Sequence, residues 1–382
     1  MTIRYIDTES ALNTLCQQLA KATWIAVDTE FLREKTYQPQ LCLIQLATPE
    51  LIACVDPLPI QNLTPLLDIF YRPDITLVFH AARQDLELLY QLRHALPCAV
   101  FDTQLAATVL GYGDQVGYGN LVQQCLHVQL NKAHSRTDWT QRPLDPAQID
   151  YAADDVRYLR ELYLFLHQQL QEKNRLHWLE EDFARLTDVK EYQVDLEQMW
   201  RKVKGFGRLR GIQLAILQRL AAWREQRAID TNRPRRWILK DEVLLELAKL
   251  APQTLEQLHK IRGLEAPAIK RIGHDLLTEI RQARTLPESQ WPKVQSITPL
   301  TPQQTIVADV LMALLKKYCE DQAISPAAVC GRKDIERLLR GDHDISLLRG
   351  WRYEVAGHHL NAFIDGRISL TADTSQLYIQ EG

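Results

Sequence analysis

The sequence predicts an α/β domain with a central sheet, followed by helical modules. Three observations carry this expectation. Short apolar, partly β-branched runs recur through the first half, with helical stretches between or after them. A long helical pattern opens at Asp145-Pro146, near the end of that half. After about residue 180 the strand signal stops, and residues 211–284 read as successive helices.

The elements follow in order. Trp24-Ile25-Ala26-Val27-Asp28 is the first strand candidate. Leu41-Cys42-Leu43-Ile44-Gln45-Leu46 and Leu51-Ile52-Ala53-Cys54-Val55 come next, separated by short polar breaks that suit adjacent strands. Residues 75–79 and 98–101 complete a sheet of about five strands. Helices are expected over 61–71, 82–93, 103–110 and 117–127. Proline is well placed at a first helical position, because its missing N–H would be unpaired there anyway. A long helix therefore begins at Pro146 and can run to about Leu170. Turns at Asn232-Arg233-Pro234, Ala251-Pro252 and Arg262-Gly263 divide the later helices. Residues 289–302 contain Pro292, Pro299 and Pro302 and read as a linker. Residues 303–375 read as a second helical module that vaguely parallels the first, without a clean repeat. The expected domains span 1–180, 205–285 and 303–375.

Composition excludes several classes. The 382 residues are 46% apolar and 24% charged, which suits two or three globular domains and not a disordered or fibrous chain. No apolar run reaches the roughly 18 residues of a membrane span. The start, Met1-Thr2-Ile3-Arg4-Tyr5, lacks the layout of a signal peptide. Seven cysteines without a CxxC pair fit neither a disulfide framework nor a zinc site, so a reducing cytoplasm is expected. The net charge of −3 conceals an asymmetry. Residues 201–285 hold 19 Lys and Arg against 9 Asp and Glu, and the remainder 26 against 39. A basic module on an acidic body suggests a polyanionic partner, nucleic acid before lipid headgroups.

Four acids are candidates for chemistry. Asp28 and Glu30 project from one face of a strand end. Alone, this pair is equally a solvated strand end. Asp85 lies in the first turn of a helix that follows His80-Ala81-Ala82, where the helix dipole favours an anion. Tyr151 and Asp155 are neighbours on one helix face that continues inward through Leu159. If these acids converge, their repulsion needs neutralising, and hard oxygen donors favour Mg²⁺ or Mn²⁺. Two such ions about 3.5–4 Å apart form a clamp for in-line attack at phosphorus. Tyr151 would orient the attacking water.

Val27-Asp28-Thr29-Glu30-Phe31, the segment from His80 to Leu86 and Tyr151-x-x-x-Asp155 resemble, in order and spacing, the three motifs of the DEDD exonuclease superfamily in its tyrosine-bearing branch. More of the chain is similar to the ribonuclease D family. The matching segments are Thr36-Tyr37-x-Pro39-Gln40-Leu41 and Ser135-Arg136-Thr137-Asp138-Trp139-x-x-Arg142-Pro143-Leu144. Leu220-Ala221-Ala222-Trp223-Arg224-Glu225, Asn232-Arg233-Pro234-Arg235 and Ile238-x-x-Asp241 resemble an HRDC domain. The resemblance implies a ribonuclease H-like exonuclease domain with a mixed sheet, then HRDC-type helical modules, the second degenerate. It also implies 3′→5′ removal of 5′-mononucleotides and a role in maturing tRNA 3′ ends. Asp28, Glu30, Asp85 and Asp155 would be the metal ligands. One departure from the pattern is Ala81, where Gly or Asn is common.

Other residues are candidate RNA contacts. Phe31 and Tyr37 could stack on terminal bases or pack in the core. His80 could bond the substrate backbone or cap its helix. Lys132, Arg136 and Arg142 could meet phosphates or support the site. Gln45, in an apolar strand, is at least as much a structural amide as a contact. Arg233, Arg235, Arg236 and Lys240 cluster around Trp237. The basic face is read as RNA-binding and Trp237 as buried.

The expected activity is thus a metal-dependent exoribonuclease acting, as a monomer, on tRNA precursors with single-stranded 3′ extensions. A DNA exonuclease of repair or proofreading is the alternative. A binding-only protein is disfavoured because all four acids are present. A helicase fragment is disfavoured because no G-x-x-x-x-G-K-[ST] loop occurs.

Overall fold

The computed structural model describes residues 2–131, 137–294 and 298–381. The chain divides into two compact units. One comprises residues 1–30, 41–191 and 298–382, and the other residues 31–40 and 192–297.

The first unit is built on a six-stranded sheet. Its strands are β1 (Ile3–Ile6), β2 (Trp24–Leu32), β3 (Gln40–Ala47), β4 (Ile52–Val55), β5 (Thr76–Phe79) and β6 (Val100–Asp102). The spatial order is β1-β4-β3-β2-β5-β6. β3 and β4 run antiparallel, while β1/β4, β2/β5 and β5/β6 are parallel, so the sheet is mixed. β1 exceeds the five strands expected. It is four residues long and buries only Ile6, too little periodicity to read. The helices are α1 (Glu9–Leu19), α2 (Thr64–Phe70), α3 (Arg83–Arg93), α4 (Thr103–Leu110), α5 (Tyr118–Leu126) and α6 (Pro146–Glu172). Asp145 caps α6 through the Ala147 amide at 2.8 Å, and Gln148 Oε1 accepts the Asp145 amide at 2.7 Å. This reciprocal box with Pro146 sets where the helix starts. Ala152 and Ala153 are buried, so α6 comes close to β1, β4 and β5.

The last part of the chain belongs to this unit. α7 (Glu180–Leu186) follows α6, and α13 (Pro302–Asp321), α14 (Pro326–Val329) and α15 (Arg332–Leu339) lie after the helices of the other unit. Buried Asp182 accepts from Arg352 at 2.6 Å. Trp178 and Trp351 stack at 4.6 Å. Arg175 donates to the carbonyls of Val109 and Gln322 at 3.0 and 2.6 Å. At Gly111 (φ +88°), a Cβ would sit 2.6 Å from the Ala323 carbonyl oxygen, so only glycine permits this approach. The chain closes on an antiparallel hairpin, Ile368–Ala372 with Leu377–Glu381. A strand here departs from the expectation of helix alone. Its short, largely exposed strands carry little apolar pattern.

The second unit packs α8 (Ile212–Asp230), α9 (Arg235–Ile238), α10 (Asp241–Leu250), α11 (Leu255–Leu258) and α12 (Ala266–Arg284) around an aliphatic core. Arg224 is buried and donates to Asp241 at 2.7 Å and to the Leu239 carbonyl at 3.0 Å. Asn232 Oδ1 accepts the amides of Tyr37 and Gln38 at 3.1 and 3.0 Å. Buried Glu225 accepts from the Tyr37 hydroxyl at 2.6 Å and from Arg235 at 3.0 Å. Tyr37 is thus held by the helices and is not an independent stacking face.

Candidate active site

β2 carries Asp28 and Glu30 on one face, and α6 carries Tyr151 and Asp155 one turn apart. Their elements bring carboxylate oxygens of Asp28, Glu30 and Asp155 within 4.8 Å of one another. Asp85, in the first turn of α3, lies beside them. Its Oδ1 accepts from the Thr29 hydroxyl at 2.5 Å.

Crowded acids with little water around them resist ionisation. Burial, then the charges of Asp155, Asp85 and Glu30, push Asp28 well above the usual carboxylate range. Burial, then Asp155 and Asp85, push Glu30 up to about 8. Burial raises Asp85 to about 7 against the opposing hydrogen bond from Thr29. Burial and the neighbouring Asp154 raise Asp155 to about 7. Such a set favours an added positive charge. Clustered carboxylate oxygens are hard donors, so the residues fit divalent cations of the Mg²⁺ or Mn²⁺ type. Tyr151 is half-buried. Burial, then Asp155, Glu30 and Asp28, hold its phenol above the usual value. It therefore stays protonated near neutral pH.

Three further residues support the site, and of these only Trp139 lies in a segment that the sequence singled out. Asp102 accepts the amides of Ala81, Ala82 and Gln104 at 3.1, 2.9 and 2.8 Å, fixing the turn that leads to Asp85. Ala81 lies in the left-handed region at φ +58°. This explains why Gly or Asn suits the position, and alanine there costs roughly 1 kcal/mol. The Tyr118 hydroxyl lies 2.6 Å from the Asp155 carbonyl oxygen and 2.9 Å from that of Asp154. It steadies the α6 backbone behind the acids. Trp139 is buried and stacks on Tyr151 at 6.5 Å. Asp102 reaches back 20 and 21 positions to Ala82 and Ala81, and Tyr118 reaches forward 36 and 37 to α6.

Several expected contacts fall elsewhere. His80 is part-buried. Its Nε2 donates to the Val116 carbonyl and its Nδ1 meets the Thr103 hydroxyl, both at 3.0 Å. Its ring nitrogens are thus spent inside the protein, and burial holds the ring below its usual pKa. This departs from a substrate contact. Gln45 is fully buried, out of reach of RNA. Phe31 is half-exposed at the end of β2. Arg142 pairs with buried Asp56. Lys132 and Arg136 lie outside the described residues. In the helical unit, Arg233, Arg236 and Lys240 are exposed, whereas Arg235 pairs with Glu225. Trp237 is 59% exposed, contrary to the expected burial. Leu239, two residues on, takes the core position after this single helical turn.

The chain is similar to known nucleases. Residues 3–171 match the family profile described as 3′-5′ exonuclease, and residues 213–280 match the HRDC domain. Ribonuclease D of Bartonella henselae is 38% identical over 366 residues, covering 95% of this chain and 89% of that protein. Ribonuclease D of Gluconacetobacter diazotrophicus is 40% identical over 375 residues, covering 97% and 95%. Among solved structures, Escherichia coli RNase D, described as an exoribonuclease involved in structured RNA processing, superposes with a TM-score of 0.84. Its identity is 33%, over 96% of this chain and 99% of that one.

Proposed function

The chain belongs to the ribonuclease D family of 3′→5′ exoribonucleases, and from that premise we propose that it matures tRNA precursors by trimming their single-stranded 3′ extensions. The product released at each step is a 5′-mononucleotide, and two divalent cations serve the reaction. The observation that carries this reading is the meeting of Asp28, Glu30 and Asp155 within 4.8 Å, with Asp85 alongside.

Those four residues would hold the ions. Bound there, the ions supply an activated water and stabilise the leaving oxygen. Water adds to the terminal phosphorus, and the bond to the 3′ oxygen of the preceding nucleotide breaks. The released nucleotide keeps its 5′ phosphate. The shortened RNA keeps a 3′ hydroxyl after that oxygen takes a proton. Tyr151, held protonated, orients the water through its hydroxyl and does not act as the base. Arg233, Arg236 and Lys240 offer exposed cations to phosphates, a sequence-independent attraction suited to structured RNA. Phe31 offers a ring to a terminal base.

No described helix is long and apolar enough to cross a membrane. We take the working protein to be a cytoplasmic monomer.

The test is product analysis on a tRNA precursor with a 3′ extension and on DNA of the same sequence. Mg²⁺, Mn²⁺ and chelator are compared, with Asp28→Ala as control. We expect metal-dependent release of 5′-mononucleotides from RNA, loss of activity by orders of magnitude in Asp28→Ala, and retained RNA binding. Preference for the DNA strand would move the reading to repair. No release from either strand would overturn it.

A further inference from the structure

The loop before α6 carries an arginine whose donors reach three segments of the chain. Arg142 Nε and Nη2 meet the two oxygens of Asp56 at 2.5 and 2.7 Å, a bidentate fork. Nη2 also donates to the Cys42 carbonyl at 2.7 Å, in β3. Nη1 donates to the carbonyls of Trp139 and Gln141 at 2.8 and 2.7 Å. Asp56 directly follows β4 and is 2% exposed. It also accepts from the Tyr5 hydroxyl at 2.6 Å and the Leu58 amide at 3.0 Å. The guanidinium therefore fastens the loop to the sheet through a carboxylate that two further donors, Tyr5 and the Leu58 amide, also hold.

What the loop holds is Trp139. Its ring is 6% exposed and lies over Tyr151, with centroids 6.5 Å apart and planes 24° from parallel. Tyr151 stands near the start of α6, within reach of the acids. A buried indole against its ring limits the rotamers of the phenol, and so the position of its hydroxyl. The carbonyl of Trp139 is one of the groups that Arg142 grips.

We propose that Asp56, Arg142 and Trp139 form a positioning chain that sets the Tyr151 hydroxyl for hydrolysis. The proposal rests on the reading above that Tyr151 orients the attacking water. None of the three touches the reacting atoms. They act through Tyr151. A displacement of about 1 Å in an orienting group costs up to roughly 100-fold in rate. Loosening the fork should therefore lower turnover and leave RNA affinity nearly untouched.

A double-mutant cycle decides the matter. Arg142→Lys keeps the charge and loses the fork. Trp139→Leu keeps an apolar filler and removes the ring. Each is made alone and combined with Tyr151→Phe, and kcat and KM are measured below the unfolding temperature of the weakest variant. We expect Arg142→Lys and Trp139→Leu each to lower kcat about tenfold with KM within about twofold. In the Tyr151→Phe background either change should cost less than about twofold, because its target is gone. Losses that multiply in full in that background would overturn the proposal while leaving Tyr151 in the mechanism. An unchanged kcat for Tyr151→Phe alone would remove Tyr151 from the mechanism, and the positioning chain with it. If Arg142→Lys fails to fold, the Trp139→Leu arm still gives the answer.

Discussion

The acidic site and the basic turn of residues 232–240 are built in opposite ways. Asp28, Glu30, Asp85 and Asp155 come from β2, α3 and α6, and they meet only because the sheet and α6 are packed. Their charges are mostly buried, Asp155 and Asp85 raise both Asp28 and Glu30, and the turn before Asp85 stores a left-handed alanine. The basic turn is contiguous. Arg233, Arg236 and Lys240 stand exposed around a 59% exposed Trp237. The difference teaches what each can do. Convergent, desolvated groups can act on a bond, because low dielectric magnifies every charge. Contiguous, hydrated groups can attract a polyanion but are screened within about 8–10 Å. The first should govern kcat and the second KM.

The largest effect that could break this division is at Glu30. Glu30→Gln keeps the shape and removes a charge from the group of three oxygens. Lost metal support is worth several kcal/mol, so kcat should fall by about 10³-fold or more. A mainly raised KM in steady-state assays would show that the cluster binds RNA and does not act on it. Tyr151→Phe is expected to lower kcat by about 10- to 100-fold, with KM near that of the parent. The opposite signature belongs to the turn. Arg233→Glu combined with Arg236→Glu should raise KM about tenfold, roughly 1.4 kcal/mol, at unchanged kcat. The slope of log affinity against log salt should fall by about 2, one for each lost phosphate contact. A salt slope equal to that of the parent would remove both arginines from the RNA-binding face. Arg235→Gln sharpens the point. Arg235 pairs with buried Glu225, so its loss should lower Tm and leave KM nearly unchanged.

Much of the acidic site is legible in the sequence, and the reason is periodicity. Two-residue spacing puts Asp28 and Glu30 on one face, and four-residue spacing does the same for Tyr151 and Asp155. The supporting residues are not legible, because their partners are tertiary. Asp56 and Arg142 are 86 positions apart, and Thr29 and Asp85 are 56. Asp102 reads only as a strand end until its carboxylate is seen on the Ala81 and Ala82 amides. His80 misleads for the same reason, since nothing near it in sequence announces Val116 and Thr103. β1 and the terminal hairpin escape because short, half-exposed strands carry too few buried residues to show a pattern. Trp237 escapes because an apolar residue in a one-turn helix has no period to say which face is inside.

The smallest effect is one of stability, and it probes why the two regions differ. Without cations the site is a cost to the fold. Asp28 is held well above its usual pKa, by burial first and then by Asp155, Asp85 and Glu30. Glu30, at about 8, and Asp85 and Asp155, at about 7, are raised with it. The sign follows from proton binding. A carboxyl whose pKa is higher folded than unfolded keeps its proton longer in the folded state. Stability of the metal-free protein therefore falls as pH rises from about 4 to about 8. Asp28→Asn removes one charge and keeps the side-chain shape. It should raise Tm in chelator by about 2–4 °C for each kcal/mol of relieved repulsion, more at pH 8 than at pH 5. Added Mg²⁺ should stabilise the parent protein more than the Asp28→Asn protein, because the variant has lost a ligand. Scanning calorimetry with and without chelator measures both. A lower Tm for Asp28→Asn in chelator would mean that hydrogen bonds favouring the charged form outweigh the repulsion. The basic turn offers the control. Its exposed cations repel one another through water, so Arg236→Gln should leave Tm within about 1 °C in either condition.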